Sequence, residues 1–161
     1  MAVDMFIKID DIKGESIDKT HKGEIQVLAW SWGMTQSGST HIGGGGGGSG
    51  KVNVQDISFT KYIDSSTPIL MQHCCTGKHF KLATLIVRKA GEQPLEYLKL
   101  HLKDLILTSV STGGSGGEDK LTENITLNFA DFKLEYIPQK PDGSGSPAIT
   151  ANYNIAENTV D

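Results

Sequence analysis

The stretch KVNVQDISFTKYI, Lys51–Ile63, follows a run of six glycines, and its reading decides the fold. A glycine-rich run ending in Gly50-Lys51 resembles the phosphate-cradling spelling G-x-x-x-x-G-K-[ST]. In that motif backbone N–H groups wrap the phosphates, the lysine reaches them and the hydroxyl holds Mg²⁺. From Gly45 the chain matches through Lys51 and then fails, because Val52 stands where the hydroxyl must be. A phosphate loop also opens a helix whose N-terminal N–H groups complete the site. Lys51–Ile63 reads as strand instead: its apolar residues alternate at Val52 and Val54, then shift phase to Ile57, Phe59 and Ile63. A one-residue shift flips the buried face, which implies either a bulge or a strand passing from one sheet to another. The glycine run is thus a structural loop between strands rather than a nucleotide site.

Strand-like patterning extends in both directions. Glu24–Trp32 places Ile25, Val27 and Ala29 on one face and Leu28, Trp30 and Trp32 on the other, a strand with little exposed surface. Further runs lie at Phe80–Arg88, Leu95–Leu102, Asp104–Val110, Glu123–Tyr136 and Ala148–Ile155. The run ENITLNFADFKLEYIP changes phase, from Ile125, Leu127 and Phe129 to Phe132, Leu134 and Tyr136. Two long strands that change phase point to strongly curved sheets and hence to a barrel. Only SSTPILMQHCCTGK reads as helix, about 67–76, with Thr67 as N-cap, Pro68 at the first helical position and Gly77 as the stop. The fold predicted is mainly β: a closed or nearly closed barrel of two curved antiparallel sheets, flanked by one short α-helix. At 161 residues with no shift in composition, the chain reads as a single domain, 1–161, carrying an extended Gly-rich loop at about 37–50.

Composition excludes several roles. The net charge is −4 with interspersed signs and no basic cluster, so neither nucleic acid nor an anionic membrane is expected as partner. The N-terminus MAVDMFIKID lacks a basic region followed by an apolar one, and no segment reaches the apolar length of a membrane span. The expectation is synthesis and folding in the cytoplasm without a signal peptide. Cys74 and Cys75 are adjacent, which leaves no disulfide framework. GGSGG, Gly113–Gly117, spells the nucleophile elbow G-x-S-x-G around Ser115, and HIGG at His41 echoes an oxyanion-hole motif. An elbow turns a strand into a helix, whereas Ser115 lies between the strand LILTSV and another beginning near Asn124. The cluster His73, Cys74, Cys75 and His79 lacks a spacing that converges on a metal, and His21 and His101 read as surface or satisfied polar residues. No catalytic residue, metal or cofactor is expected. A loop longer than a dozen residues in a chain without a catalytic constellation points to assembly.

Several ordered blocks carry a resemblance: MAVDMFIKI with IKGES and DKTH, IQVLAWSWG, GKVNVQD with SFTKYID and STP, and SVSTGGSGGEDKLTENITLNF. They resemble the haemolysin-coregulated protein (Hcp) family, the tube subunit of bacterial type VI secretion systems, nearly end to end as far as Tyr136. The resemblance implies a homohexameric ring that stacks into a hollow tube, driven by a contractile sheath beneath a spike protein. It implies secretion of the subunit to the medium or a target cell, and effector proteins held in the lumen. It further implies that the long loop projects into subunit and ring contacts. The contact residues expected are Ser39, Thr40, His41, Ile42, Gly43, Gly44, Gly48, Gly50 and Lys51, with Ser115, Glu118 and Asp119 on the second glycine-rich loop. Some members carry a C-terminal effector domain, and the chain is expected to end too soon after the barrel to include one.

Overall fold

A computed structural model describes residues 3–38 and 50–160. Among them run the strands β1 (Val3–Ile9), β2 (Ile25–Gln26), β3 (Ala29–Ser31), β4 (Met34–Thr35), β5 (Asn53–Val54) and β6 (Ile57–Tyr62), then the helix α1 (Thr67–Thr76). Beyond it come β7 (His79–Lys89), β8 (Leu95–Thr112), β9 (Thr122–Tyr136) and β10 (Ile149–Asn154). One antiparallel sheet has the order β2-β1-β7-β8-β9-β6-β3, with β10 also paired to β9, while β4 and β5 form a separate two-stranded sheet. The mainly β architecture with one helix is as predicted.

The sheet curls back on itself because one short stretch supplies both of its ends. Val27 N–H donates to the Met5 carbonyl on β1 at 2.9 Å, and Leu28 N–H donates to the Thr60 carbonyl on β6 at 2.8 Å. Between these two residues the chain exchanges one neighbour for another, so the predicted strand Glu24–Trp32 becomes β2 and β3. Ile25 and Val27 are buried as expected, but Ala29, beyond the exchange, is exposed. Lys51–Ile63 resolves in the same sense. Val54 pairs with Met34 in the small sheet, whereas Ile57–Tyr62 pairs with β9 in the large one. The phase shift read in the sequence is a passage between sheets.

A bend runs across three long strands at one level. Buried residues, elsewhere two apart along these strands, are three apart across it: Phe80 then Ala83 on β7, Leu102 then Leu105 on β8, Phe129 then Phe132 on β9. These positions are in register, since Phe80 pairs with Leu105 and Leu105 with Phe129. At this level Asp104 adopts φ 52°, the left-handed region, which reverses the alternation of β8. The runs expected at Leu95–Leu102 and Asp104–Val110 are therefore one 18-residue strand bent at Asp104. On β9, Tyr136, expected inward, is 46% exposed, because the buried set ends before the strand does.

The helix has the predicted span but a different start. Its N-cap is Ser66, without a side-chain cap, and Thr67 is already helical. The Thr67 hydroxyl bonds the Glu123 carboxylate at 2.6 Å and accepts from Asp64 N–H at 3.1 Å, so it is occupied by the barrel rather than by the helix end. Gly77, at φ 66°, closes the helix as expected.

Candidate functional site

The two glycine-rich loops leave from opposite ends of β6. Gly50 and Lys51 precede β5, a strand rather than a helix, and the arm that they close is rooted by the β4–β5 pairs Met34–Val54 and Thr35–Asn53. Trp32 fixes that root: its indole N–H donates to the Gln55 carbonyl at 2.9 Å, and its ring meets Phe132 edge-on at 4.8 Å. A Cβ on Gly50 would crowd the Ser37 hydroxyl, so the chain segments on either side pass closely there. The expected contact residues Ser39, Thr40, His41, Ile42, Gly43, Gly44 and Gly48 lie outside the described residues.

The second loop, residues 113–121, joins β8 to β9 beyond the pair Tyr62–Thr122, at the far end of β6. Five residue steps along a strand separate these ends by roughly 17 Å. Ser115, Glu118 and Asp119 are all exposed on it, and Glu118 N–H closes a turn onto the Ser115 carbonyl at 3.1 Å. Leu121 anchors the loop through its carbonyl, which accepts from Ile63 N–H at 2.9 Å, while Lys120 lies 4.9 Å over the Tyr62 ring. Ser115 therefore sits in a hairpin loop between two strands, not on a strand-to-helix elbow. The structure brings Ser115, Glu118 and Asp119 together and holds them apart from Gly50 and Lys51.

The remaining candidates resolve individually. Cys74 is half-buried against the core and Cys75 is exposed, while His73 meets the Phe80 ring edge-on at 5.5 Å. His101 bonds Glu135 at 3.1 Å, and this bond together with Lys133 holds the Glu135 carboxyl below its ordinary range.

Three charged clusters escaped the sequence reading. On the inner face Lys61 and Glu123 are fully buried and paired, with Asp64 at 3.0 Å from the lysine and Thr67 bridging at 3.3 Å. At the rim, Arg88 forks onto Asp18 at 2.5 and 3.1 Å and reaches Asp4 at 3.1 Å. The hydrogen bonds from Arg88 hold the Asp18 carboxyl well below the usual carboxylate range, against a smaller opposing effect of burial. Beside them His21 is buried between Glu24 and Glu96, each 2.6 Å from a different ring nitrogen. A signal for the first cluster was present, since Lys61 and Glu123 lie in phase with the inward residues Ile57 and Phe59, and Ile125 and Leu127.

Comparison with known proteins follows the same outline. Residues 6–136 match the family model described as "Type VI secretion system effector, Hcp". The chain is 65% identical to "Protein hcp1" of Pseudomonas aeruginosa over 161 residues, covering 98% of each. Among solved structures it resembles Hcp1 from Salmonella typhimurium, with a TM-score of 0.82, 42% identity and 100% of both chains covered. It also resembles a structure described as a type six secretion system protein, with a TM-score of 0.93, 25% identity, and 99% of this chain and 100% of the other covered.

Proposed function

The chain belongs to the Hcp family of the type VI secretion system, and on that premise we propose that it is a tube subunit. It closes into homohexameric rings, the rings stack head to tail into a hollow tube, and the tube carries effector proteins in its lumen. Its further partners are a spike protein at the tip and a contractile sheath outside. It has no catalytic role of its own. The contracting machine carries it from the cytoplasm to the medium or a target cell. The observation that carries this reading is the 65% identity extending over 98% of both chains.

Two features of the barrel favour it. A head-to-tail stack needs different, complementary surfaces at the two ends of the subunit, and the glycine-rich loops leave from opposite ends of β6. Ser39, Thr40, His41, Ile42, Gly43, Gly44, Gly48, Gly50 and Lys51 would act at one end and Ser115, Glu118 and Asp119 at the other. A closed ring needs a lateral contact as well. The edge strand β10, ITANYN, carries no charge or proline to discourage pairing, and it presents Ile149, 64% exposed, opposite Tyr136.

Deleting Gly43–Gly48 separates the two contacts. The shorter loop changes closure entropy by only about 1 kcal/mol, so the barrel stays folded. Hexamers are expected to persist while stacking and release from secreting cells fail. Normal release would show the loop dispensable, and loss of hexamers would show that it closes the ring instead.

A further inference from the structure

Residues 10–24, between β1 and β2, form a loop pinned at every turn. Gly14 N–H donates to the Gly23 carbonyl at 2.8 Å, Ser16 N–H to the Glu24 carbonyl at 3.0 Å and Gly23 N–H to the Ser16 carbonyl at 2.8 Å. Asp18 accepts from Thr20 N–H and His21 N–H at 3.0 and 3.2 Å. This order presents Ile17, 95% exposed, at the crest of the loop.

His21 closes the arrangement. Its ring lies flat on Phe6, with centroids 4.6 Å apart and planes 19° from parallel, and the residue is 5% exposed. Nδ1 faces the Glu24 carboxylate, on the loop, and Nε2 faces Glu96, on β8, both at 2.6 Å. A neutral imidazole has one donor and one acceptor, and an ionised carboxylate only accepts. Two such contacts at this distance therefore need a proton at both ring nitrogens or a proton on a carboxylate. Burial works to raise the Glu96 carboxyl, but the bond and charge of His21, with Lys99 at 3.4 Å, outweigh it and hold that carboxyl below its ordinary range. A proton on Glu96 is thereby disfavoured. The other charge nearby is balanced: Arg88, 5.3 Å from the Phe6 ring, is held by Asp4 on β1 and Asp18 on the loop.

We propose that His21 is a proton-operated latch, which fastens the loop 10–24 to the start of β8 while its ring is charged and releases it when the ring is neutral. On the acid side of the imidazole titration the ring joins Glu24 to Glu96 and the surface around Ile17 is fixed. On the alkaline side one nitrogen turns its lone pair towards a carboxylate, that contact becomes repulsive, and the loop opens locally. All the contacts of the latch lie within one subunit.

The test follows amide exchange in the full-length chain while ring resonances report the titration of His21. Protection factors at Gly14, Ser16 and Gly23 are expected to fall about tenfold or more as His21 loses its proton, the equivalent of losing one charge-assisted hydrogen bond. Those of core residues such as Leu100 and Leu127 stay level. Glu96→Gln supplies an amide N–H to the neutral ring nitrogen, so the loop should remain protected on the alkaline side. His21→Gln removes the titrating group and should make protection independent of pH. Constant protection across the titration in the unmodified chain, or the same fall persisting in either variant, would overturn the latch.

Discussion

Two ion clusters tie loops to this barrel, and they differ in what surrounds them. Lys61 and Glu123 are sealed, each with a side chain 0% exposed, and one Glu123 oxygen, Oε2, has no hydrogen-bond partner. Arg88 and Asp18 are 12% and 23% exposed and share their fork with Thr20 and Asp4. In the sealed cluster water cannot replace a lost partner, so Glu123 relies on Lys61 and Thr67, and Lys61 on Glu123 and Asp64. At the rim, solvent can replace part of what a substitution removes. The same pairing of a basic and an acidic group is therefore a structural necessity in one place and an adjustable contact in the other.

Breaking the sealed pair has the largest expected effect. Lys61→Met leaves the Glu123 charge buried with only Thr67 and should destabilise the fold by about 3–5 kcal/mol, read from urea unfolding. Adding Glu123→Leu should recover most of that loss, since well-packed apolar residues commonly replace a buried pair at little cost. A double variant as unstable as the single would show that the pair does not act as a unit.

A steric contrast comes next and checks that the rim loop is held by packing as well as by charge. A Cβ at Gly14 would stand 2.5 Å from the Glu24 carbonyl oxygen, whereas one at Gly116 meets nothing within 4 Å. Gly14→Ala should cost about 1–3 kcal/mol, and Gly116→Ala should stay within about 0.5 kcal/mol of the parent. Equal effects at the two positions would remove the contrast between a packed loop and an open one.

The smallest effect is at the rim ion pair. Asp18→Asn should lower the melting temperature less than Lys61→Met does, and salt should weaken the parent's advantage over it. Because the Asp18 carboxyl is held below its ordinary range, its contribution is complete above that range and is lost as pH falls through the depressed value. The variant should accordingly lose less stability than the parent on acidification. Identical acid profiles would assign acid sensitivity to other carboxylates.

How much was legible in the sequence follows the same division between pattern and contact. The helix span and the phase changes in Lys51–Ile63 and β9 were readable as local features of apolar period, but the pairing alone decides that the first is a passage between sheets and not a bulge. The strand β1 was not singled out, and β8 read as two strands, because a left-handed Asp104 interrupts the alternation without interrupting the pairing. The N-cap was misplaced at Thr67 because its hydroxyl serves Glu123, a partner 56 residues away. The pairing of Lys61 with Glu123 was within reach, since both charges fall in the inward phase, but their meeting depends on the register of β6 against β9. Of the expected contact residues, Ser115, Glu118 and Asp119 are exposed on the loop between β8 and β9, Gly50 and Lys51 precede β5, and the others lie outside the described residues.

The central claim is the closed ring, and sedimentation of the purified chain tests it most directly. The account predicts a species of six times the chain mass, persisting across micromolar to near-millimolar concentrations and ring-shaped in electron micrographs. A single sharp monomer boundary over the same range would contradict it.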